Sequence, residues 1–152
     1  MKRASETIVA RLIFKGRCHC GAIGVELISD RPPAEQALGV CQCSFCRKHN
    51  ARAFSDPKAE VTLTANDPHE LQRYTFGLRA SEQVICRRCG VYVAMTLTDG
   101  DGVWSVINVD ALEDRALFTR SSEAREDREG RIARRKARWC PTTLVGWPAP
   151  AA

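Results

Sequence analysis

The sequence lacks any long uninterrupted run of apolar residues. Its longest apolar stretches, such as residues 91–97, have the length of a β-strand, whereas a membrane-spanning helix needs about 20 residues. Near the N-terminus, Arg11 interrupts the apolar segment 8–13, so no secretory signal is evident. The sequence therefore predicts a cytoplasmic protein that does not associate with a membrane.

Internal repeats and strong helical patterns are also scarce. The 152 residues, 44% of them hydrophobic, suffice for one hydrophobic core but not for two. Alternating apolar and β-branched residues predict strands at 8–14 and 21–28, and weaker strands at 61–64, 71–75 and 83–85. Two Asp-Gly dipeptides at 99–102 predict a hairpin turn between strands 91–98 and 103–109. We expect a mainly β domain over residues 8–140, with one charged helix at about 122–139 and an irregular Pro- and Ala-rich tail at 141–152.

Cysteine is what the sequence has in excess. Seven of its eight cysteines form three clusters, which are Cys18 and Cys20, then Cys41, Cys43 and Cys46, then Cys86 and Cys89. In a reducing compartment, clustered thiols are metal ligands or redox groups more often than disulfides. A thioredoxin-like redox pair needs a surrounding βαβ pattern, which is absent. The clusters therefore predict zinc, which binds thiolates from short turns.

Spacing alone permits several ways of dividing the seven thiolates between metal ions. We favour one ion held by Cys18, Cys20, Cys86 and Cys89, which leaves Cys41, Cys43 and Cys46 as a three-thiolate site. A zinc ion with four protein ligands is typical of structural sites, whereas one with three keeps a position open for water or substrate. His49 could be a fourth ligand, although we favour an exposed or substrate-contacting role. We interpret the lone Cys140 as a small buried residue.

Three segments together resemble a known family. Residues 16–21 (Gly-Arg-Cys-His-Cys-Gly), 41–48 (Cys-Gln-Cys-Ser-Phe-Cys-Arg-Lys) and 86–90 (Cys-Arg-Arg-Cys-Gly) are similar, in this order and spacing, to the glutathione-dependent formaldehyde-activating enzymes, a family that includes centromere protein V. The resemblance spans roughly residues 14–114. It implies an Mss4-like fold of several small antiparallel sheets stapled by zinc, with a short C-terminal helical segment. It also implies the division of cysteines given above.

The resemblance further implies the chemistry. Cys41, Cys43 and Cys46 would hold a catalytic zinc ion that binds the glutathione thiol, and the activity would be that of a carbon–sulfur lyase on S-(hydroxymethyl)glutathione. Many members carry a Ser-Pro-Gly-like turn between a Tyr-containing strand and the Cys-x-x-Cys motif. Here Tyr74 is followed by Thr-Phe-Gly-Leu-Arg at 75–79, so we expect a different substrate-facing loop.

Glutathione carries two carboxylates, and cations follow the second cysteine cluster directly. We hypothesise that some of these residues hold the cosubstrate, because guanidinium groups suit carboxylates; a solvated basic surface is the alternative. The residues are Arg47, Lys48, His49 and Arg52.

The formal net charge of +5 raises the possibility of a nucleic-acid partner. Seven thiolates and two Zn²⁺ ions would reduce that charge to about +2. The remaining cations, at 115–138, alternate with acidic residues and are typical of an exposed helix with internal ion pairs. The sequence thus favours small-molecule thiol and aldehyde partners. The alternative is a non-catalytic, zinc-stabilised module that binds a protein or nucleic acid.

Overall fold

The computed structural model describes residues 10–118, 120–122 and 127–148. Within them the chain is mainly β, as predicted, with two α-helices. The strands are β1 (Leu12–Arg17), β2 (Ile23–Ser29), β3 (Ala37–Gly39), β4 (Ala53–Phe54), β5 (Glu60–Ala65), β6 (Leu71–Tyr74), β7 (Glu82–Cys86), β8 (Tyr92–Asp99), β9 (Gly102–Asn108), β10 (Arg120–Ser122) and β11 (Cys140–Val145). The helices are α1 (Ser44–His49) and α2 (Arg128–Arg138). None of the helices described is long and apolar enough to cross a membrane.

The two predicted hairpins are present. Strands β1 and β2 pair antiparallel, with Phe14 opposite Leu27, and the first cysteine turn lies between them. The start of the predicted first strand, at residues 8 and 9, lies outside the described residues. Strands β8 and β9 pair antiparallel across the Asp-Gly turn, where Gly100 adopts a left-handed φ of 58°. Local turn chemistry therefore specifies both hairpins.

The strands connect into one mixed sheet, in the order β1-β2-β5-β11-β9-β4-β3-β10, with β8, β7 and β6 continuing from β9. Most pairs are antiparallel, but β11 pairs parallel with β5 and β10 pairs parallel with β3. The small antiparallel units expected from the family resemblance are thus joined into one sheet rather than kept separate.

The prediction of an irregular tail from residue 141 is wrong for residues 141–145, because these residues belong to β11. This strand lies between β5 and β9, with Thr142 opposite Val61 and Cys140 opposite Ser105. Its pairing is with strands far away in sequence, which no local pattern reveals. The rest of the predicted tail begins at Gly146, and residues 149–152 lie outside the described residues.

The predicted helix begins later than expected, and a second helix is present that the sequence does not predict. Helix α2 begins at Arg128 rather than near 122, because the Asp127 side chain accepts a hydrogen bond from the Gly130 N–H (2.8 Å) and caps the helix. Ser122 lies in β10, and residues 123–126 lie outside the described residues. The short helix α1 is not predicted by the sequence; the side chain of Cys43 caps its N-terminus.

The main hydrophobic core lies between the β1-β2-β5 part of the sheet and the strands around β9. Its largest fully buried side chains include Phe54, Phe118 and Leu27. Cys18 and Cys86 belong to the same core cluster and are fully buried. Two of the four cysteines of the first cluster are therefore part of the core, whereas Cys20 is exposed.

Candidate metal centres and the adjoining groove

The first cysteine cluster joins two distant parts of the chain. The sulfur atoms of Cys18, Cys20, Cys86 and Cys89 all lie within 4.8 Å of one another. The Cys20 Sγ lies 3.7 Å from the Cys18 Sγ and 3.5 Å from the Cys86 Sγ, and all are free thiols. Four converging sulfur atoms from two short turns are the donor set that a tetrahedral ion such as Zn²⁺ takes. The residues present therefore fit a closed metal site.

Each of the two turns is closed by a glycine. The Gly21 N–H donates to the Cys18 carbonyl (3.1 Å), and the Gly90 N–H donates to the Cys86 carbonyl (2.8 Å). Both glycines adopt left-handed φ angles, 84° and 76°, which strongly favour glycine. In each turn the glycine closes the loop that directs the cysteine side chains toward the shared centre.

Burial sets the protonation of this cluster. Desolvation raises the pKa of the Cys18 thiol, and it raises that of Cys86 to about 12. For Cys89, burial also raises the pKa, but backbone hydrogen bonds from Val91 and Cys20 outweigh it and lower the pKa to about 6. The buried thiols of Cys18 and Cys86 resist ionisation unless a cation lies nearby, and a metal ion held by the four sulfur atoms would supply that charge.

The second cluster is smaller and more open. The sulfur atoms of Cys41, Cys43 and Cys46 lie within 4.8 Å of one another, but Cys41 is exposed and Cys43 half-buried. Cys41 and Cys43 lie in the loop after β3, and Cys46 lies in α1. The Cys46 N–H donates to the Cys43 Sγ (3.4 Å), which fixes that sulfur at the end of the helix. Among the described residues, no fourth ligand joins these three thiols.

The pKa values of two of these thiols are shifted in opposite directions. Hydrogen bonds from Cys46 and Cys43, with a smaller contribution from the positive charge of Arg135, outweigh the effect of burial and lower the pKa of Cys41 to about 5. The hydrogen bond to Cys41 and burial raise the pKa of Cys46. The cluster therefore favours at least one thiolate, in a place that solvent can reach.

A groove that is open to solvent borders the three-thiol cluster. Cations line it on the side of α2 and the β6–β7 loop, namely Arg131, Arg135 and Arg79. Phe76 and Leu78 supply apolar wall from the same loop, and Gln83 of β7 lines the groove as well. The loop in which this sequence departs from the family pattern thus borders the groove, as a substrate-facing loop would.

His49 is not part of the second cluster. Its ring packs against Phe45 (4.3 Å between centroids) and lies 5.5 Å from Tyr92. Phe45 itself contacts Tyr74 and Phe76, so His49 lies at the edge of an aromatic group beneath the cysteine loop. His49 is exposed and contributes no ligand atom to the cluster, and its contact with the substrate stays a prediction.

The other predicted cosubstrate residues lie away from the groove. Arg47 and Lys48 are exposed on α1 and do not line it. Arg52 forms a salt bridge with Asp110 (2.7 Å) and donates a hydrogen bond to the Phe118 carbonyl (2.8 Å). These contacts give Arg52 a structural role. The part of these three residues in binding glutathione stays a prediction.

Cys140 is fully buried and belongs to neither cluster, and burial raises its pKa to about 12.

The residues that line the groove opposite the cysteines are not predicted by the sequence. Arg131 and Arg135 were expected on an exposed helix, yet Arg135 is only 9% exposed. Their spacing of four residues places both on one face of the helix, and this shared face could have been predicted from the sequence. What the sequence could not show is that this face lies against the second cluster.

Comparison with known proteins agrees with this geometry. The family model described as glutathione-dependent formaldehyde-activating enzyme matches residues 13–128, which include all seven clustered cysteines. The crystal structure of a Rhodobacter sphaeroides protein is similar to this chain, with a TM-score of 0.52 and 28% sequence identity. That similarity covers 72% of this chain and 99% of the other.

Proposed function

Because the chain belongs to the glutathione-dependent formaldehyde-activating enzyme family, we propose that it is a zinc-dependent enzyme of carbon–sulfur bond chemistry. Its substrates are glutathione, or a similar thiol, and formaldehyde or another small aldehyde. The observation that carries this proposal is the three-thiol cluster at the edge of an open groove. Eight free cysteines suit the reducing cytoplasm as its location.

The two clusters would have different roles, one structural and one catalytic. Cys18, Cys20, Cys86 and Cys89 would hold a structural zinc ion, since their four sulfurs supply a full tetrahedral ligand set and two of them are buried in the core. Cys41, Cys43 and Cys46 would hold the catalytic ion. A zinc ion held there supplies Lewis acidity, which lowers the pKa of a substrate thiol and polarises an aldehyde oxygen.

The chain's own residues prepare the reactants. The groove is open to solvent and is lined by all three thiols together with three arginines, so a substrate bound there lies beside the sulfur atoms. Arg135 places positive charge beside the sulfurs, which favours a thiolate there. In the synthetic direction the substrate sulfur bonds to the aldehyde carbon, the carbonyl π bond breaks, and the oxygen takes up a proton. Cleavage of the hemithioacetal reverses each step.

A non-catalytic, zinc-stabilised binding module is the competing function. Such a module requires only that metal ions hold the fold, and the first cluster alone would meet that need. The solvent-accessible thiol at Cys41 and the groove beside it support the enzyme instead.

Exchange of ¹³C-formaldehyde with S-(hydroxymethyl)glutathione, followed by NMR, tests the proposal. The zinc-loaded protein should accelerate this exchange, and Cys43→Ala should abolish the acceleration while Cys140→Ala, outside both clusters, keeps it. If the zinc-loaded protein accelerates exchange with neither formaldehyde nor other small aldehydes, the proposed enzyme function is wrong.

A further inference from the structure

The groove wall opposite the cysteines has a composition that the metal sites do not explain. Arg131 and Arg135 lie four residues apart on one face of α2, and Arg79 reaches the groove from the β6–β7 loop. Three guanidinium groups beside one small groove form a strongly cationic wall. Such a wall suits a ligand that carries a carboxylate as well as a thiol.

Arg135 is held in place on this wall. Its Nη1 donates to the Ser81 Oγ (2.8 Å), and its guanidinium lies 4.6 Å from the centroid of the Trp139 ring. The residue is 9% exposed, yet it borders the groove. A guanidinium fixed by a hydrogen bond and a stacked ring loses little further freedom when a carboxylate binds.

Gln83 adds a second, independent feature. Its side chain is 3% exposed and lines the same groove, and its Oε1 has no hydrogen-bond partner within the described residues. A buried carbonyl oxygen without a donor is costly unless a ligand satisfies it. The complementary group on a ligand is an N–H, such as that of a peptide amide.

We infer that the α2 face of Arg131 and Arg135 binds a carboxylate of the thiol substrate and that Gln83 accepts a substrate amide N–H. The thiol site therefore selects a short peptidic thiol with a free carboxylate over a neutral thiol. This inference rests on the proposed function and assigns its cosubstrate recognition to α2 rather than to the cations after Cys46. Arg131 and Arg135 are binding residues in this assignment, not groups that transfer protons.

Calorimetric titration of the zinc-loaded protein tests the inference with two ligands, glutathione and its diethyl ester, which keeps the thiol and amides but lacks free carboxylates. The native protein should bind glutathione more tightly than the ester. Arg131→Gln and Arg135→Gln should each weaken glutathione binding by about 10-fold or more and leave ester binding nearly unchanged. Gln83→Met should weaken both ligands to a similar degree, because both retain the amides.

Arg138→Gln is the matched control, since it removes the same charge from the same helix at an exposed position outside the groove. It should bind both ligands as the native protein does. Arg135→Lys, which retains the charge, separates loss of charge from loss of packing, and its circular dichroism spectrum reports whether it folds.

The outcomes separate the two hypotheses. If the native protein binds glutathione but Arg131→Gln and Arg135→Gln bind it equally well, the recognition inference fails and the proposed function stands. Weaker binding in Arg47→Ala instead would assign the carboxylate to α1. If the native protein neither binds glutathione nor accelerates the exchange reaction, both fail together.

Discussion

The two cysteine clusters use the same ligand chemistry with different numbers of ligands. The first brings four thiols together and is anchored in the hydrophobic core by Cys18 and Cys86, which are fully buried, whereas Cys20 is exposed. The second brings three thiols together beside a groove lined by arginines, and Cys41 there is exposed. The comparison teaches that neither ligand type nor the exposure of one thiol distinguishes a structural from a reactive metal site. The number of protein ligands and an adjoining groove make that distinction.

Removal of a core ligand should have the largest effect. We expect Cys86→Ala to lose the metal ion of the first cluster and to unfold at 25 °C, because structural zinc contributes on the order of 10 kcal/mol to small domains. Circular dichroism and metal analysis by mass spectrometry measure the two losses together. A Cys86→Ala protein that melts at the native temperature would contradict the structural role of this cluster.

The equivalent change in the second cluster should spare the fold. Cys43→Ala should retain the far-ultraviolet spectrum and one metal ion per chain, yet lose about 100-fold or more in exchange activity, since one of only three ligands is gone. The ratio of metal bound by this variant and by the native protein gives the check. Should Cys43→Ala unfold as completely as Cys86→Ala, the division into structural and catalytic clusters is wrong.

A smaller effect distinguishes the cations that follow α1 from those on α2. Arg52 bonds to Asp110 and to the Phe118 carbonyl, so Arg52→Ala should lower the free energy of unfolding by about 1 kcal/mol. The KM for glutathione should stay within about twofold of the native value, which corresponds to under about 0.5 kcal/mol. Urea denaturation and steady-state kinetics provide the two numbers. A large rise in KM with unchanged stability would restore Arg52 to the cosubstrate site.

The eighth cysteine gives the smallest and most pH-specific effect. Burial raises the pKa of Cys140 from its ordinary 9.0 to about 12, so the folded state keeps the thiol proton at pH values where the unfolded chain loses it. Stability from this group is therefore full below pH 9 and falls as the pH rises toward 12. Between pH 8 and pH 10, the native protein should lose about 1 kcal/mol more stability than Cys140→Ala.

Urea denaturation of both proteins at the two pH values measures this difference. Metal content should be the same in both, because Cys140 belongs to neither cluster. Equal pH dependence of the two proteins, or loss of metal from Cys140→Ala, would contradict its assignment as a buried neutral thiol.

Much of the fold follows from local signals. The Asp-Gly turn at 99–102 and the alternation on either side are enough to predict the hairpin of β8 and β9. Helix α1 escaped prediction because it has only six residues and a cysteine as its N-terminal cap, which is not a common capping residue. Strand β11 escaped because its partners, β5 and β9, are distant in sequence. Local patterns do not encode such pairings.

The site shows the same division. Cysteine spacing predicts the three clusters of ligands, since ligands in short turns are constrained by the backbone of each turn, but it leaves open which clusters converge. The groove is different, because Gln83, Arg79 and Arg135 come from a strand, a loop and a helix that meet only in the folded chain. Their residue types are ordinary surface types, and nothing in a linear pattern marks them as neighbours of the thiols.

Strand β11 also bears on the order of assembly. It joins the β1-β2-β5 part of the sheet to β9, through Thr142 opposite Val61 and Cys140 opposite Ser105. All seven clustered cysteines precede it in the chain, so every ligand of the two candidate metal sites is synthesised before β11. Metal binding at that stage would close long loops before the slow, long-range pairing of β11 begins.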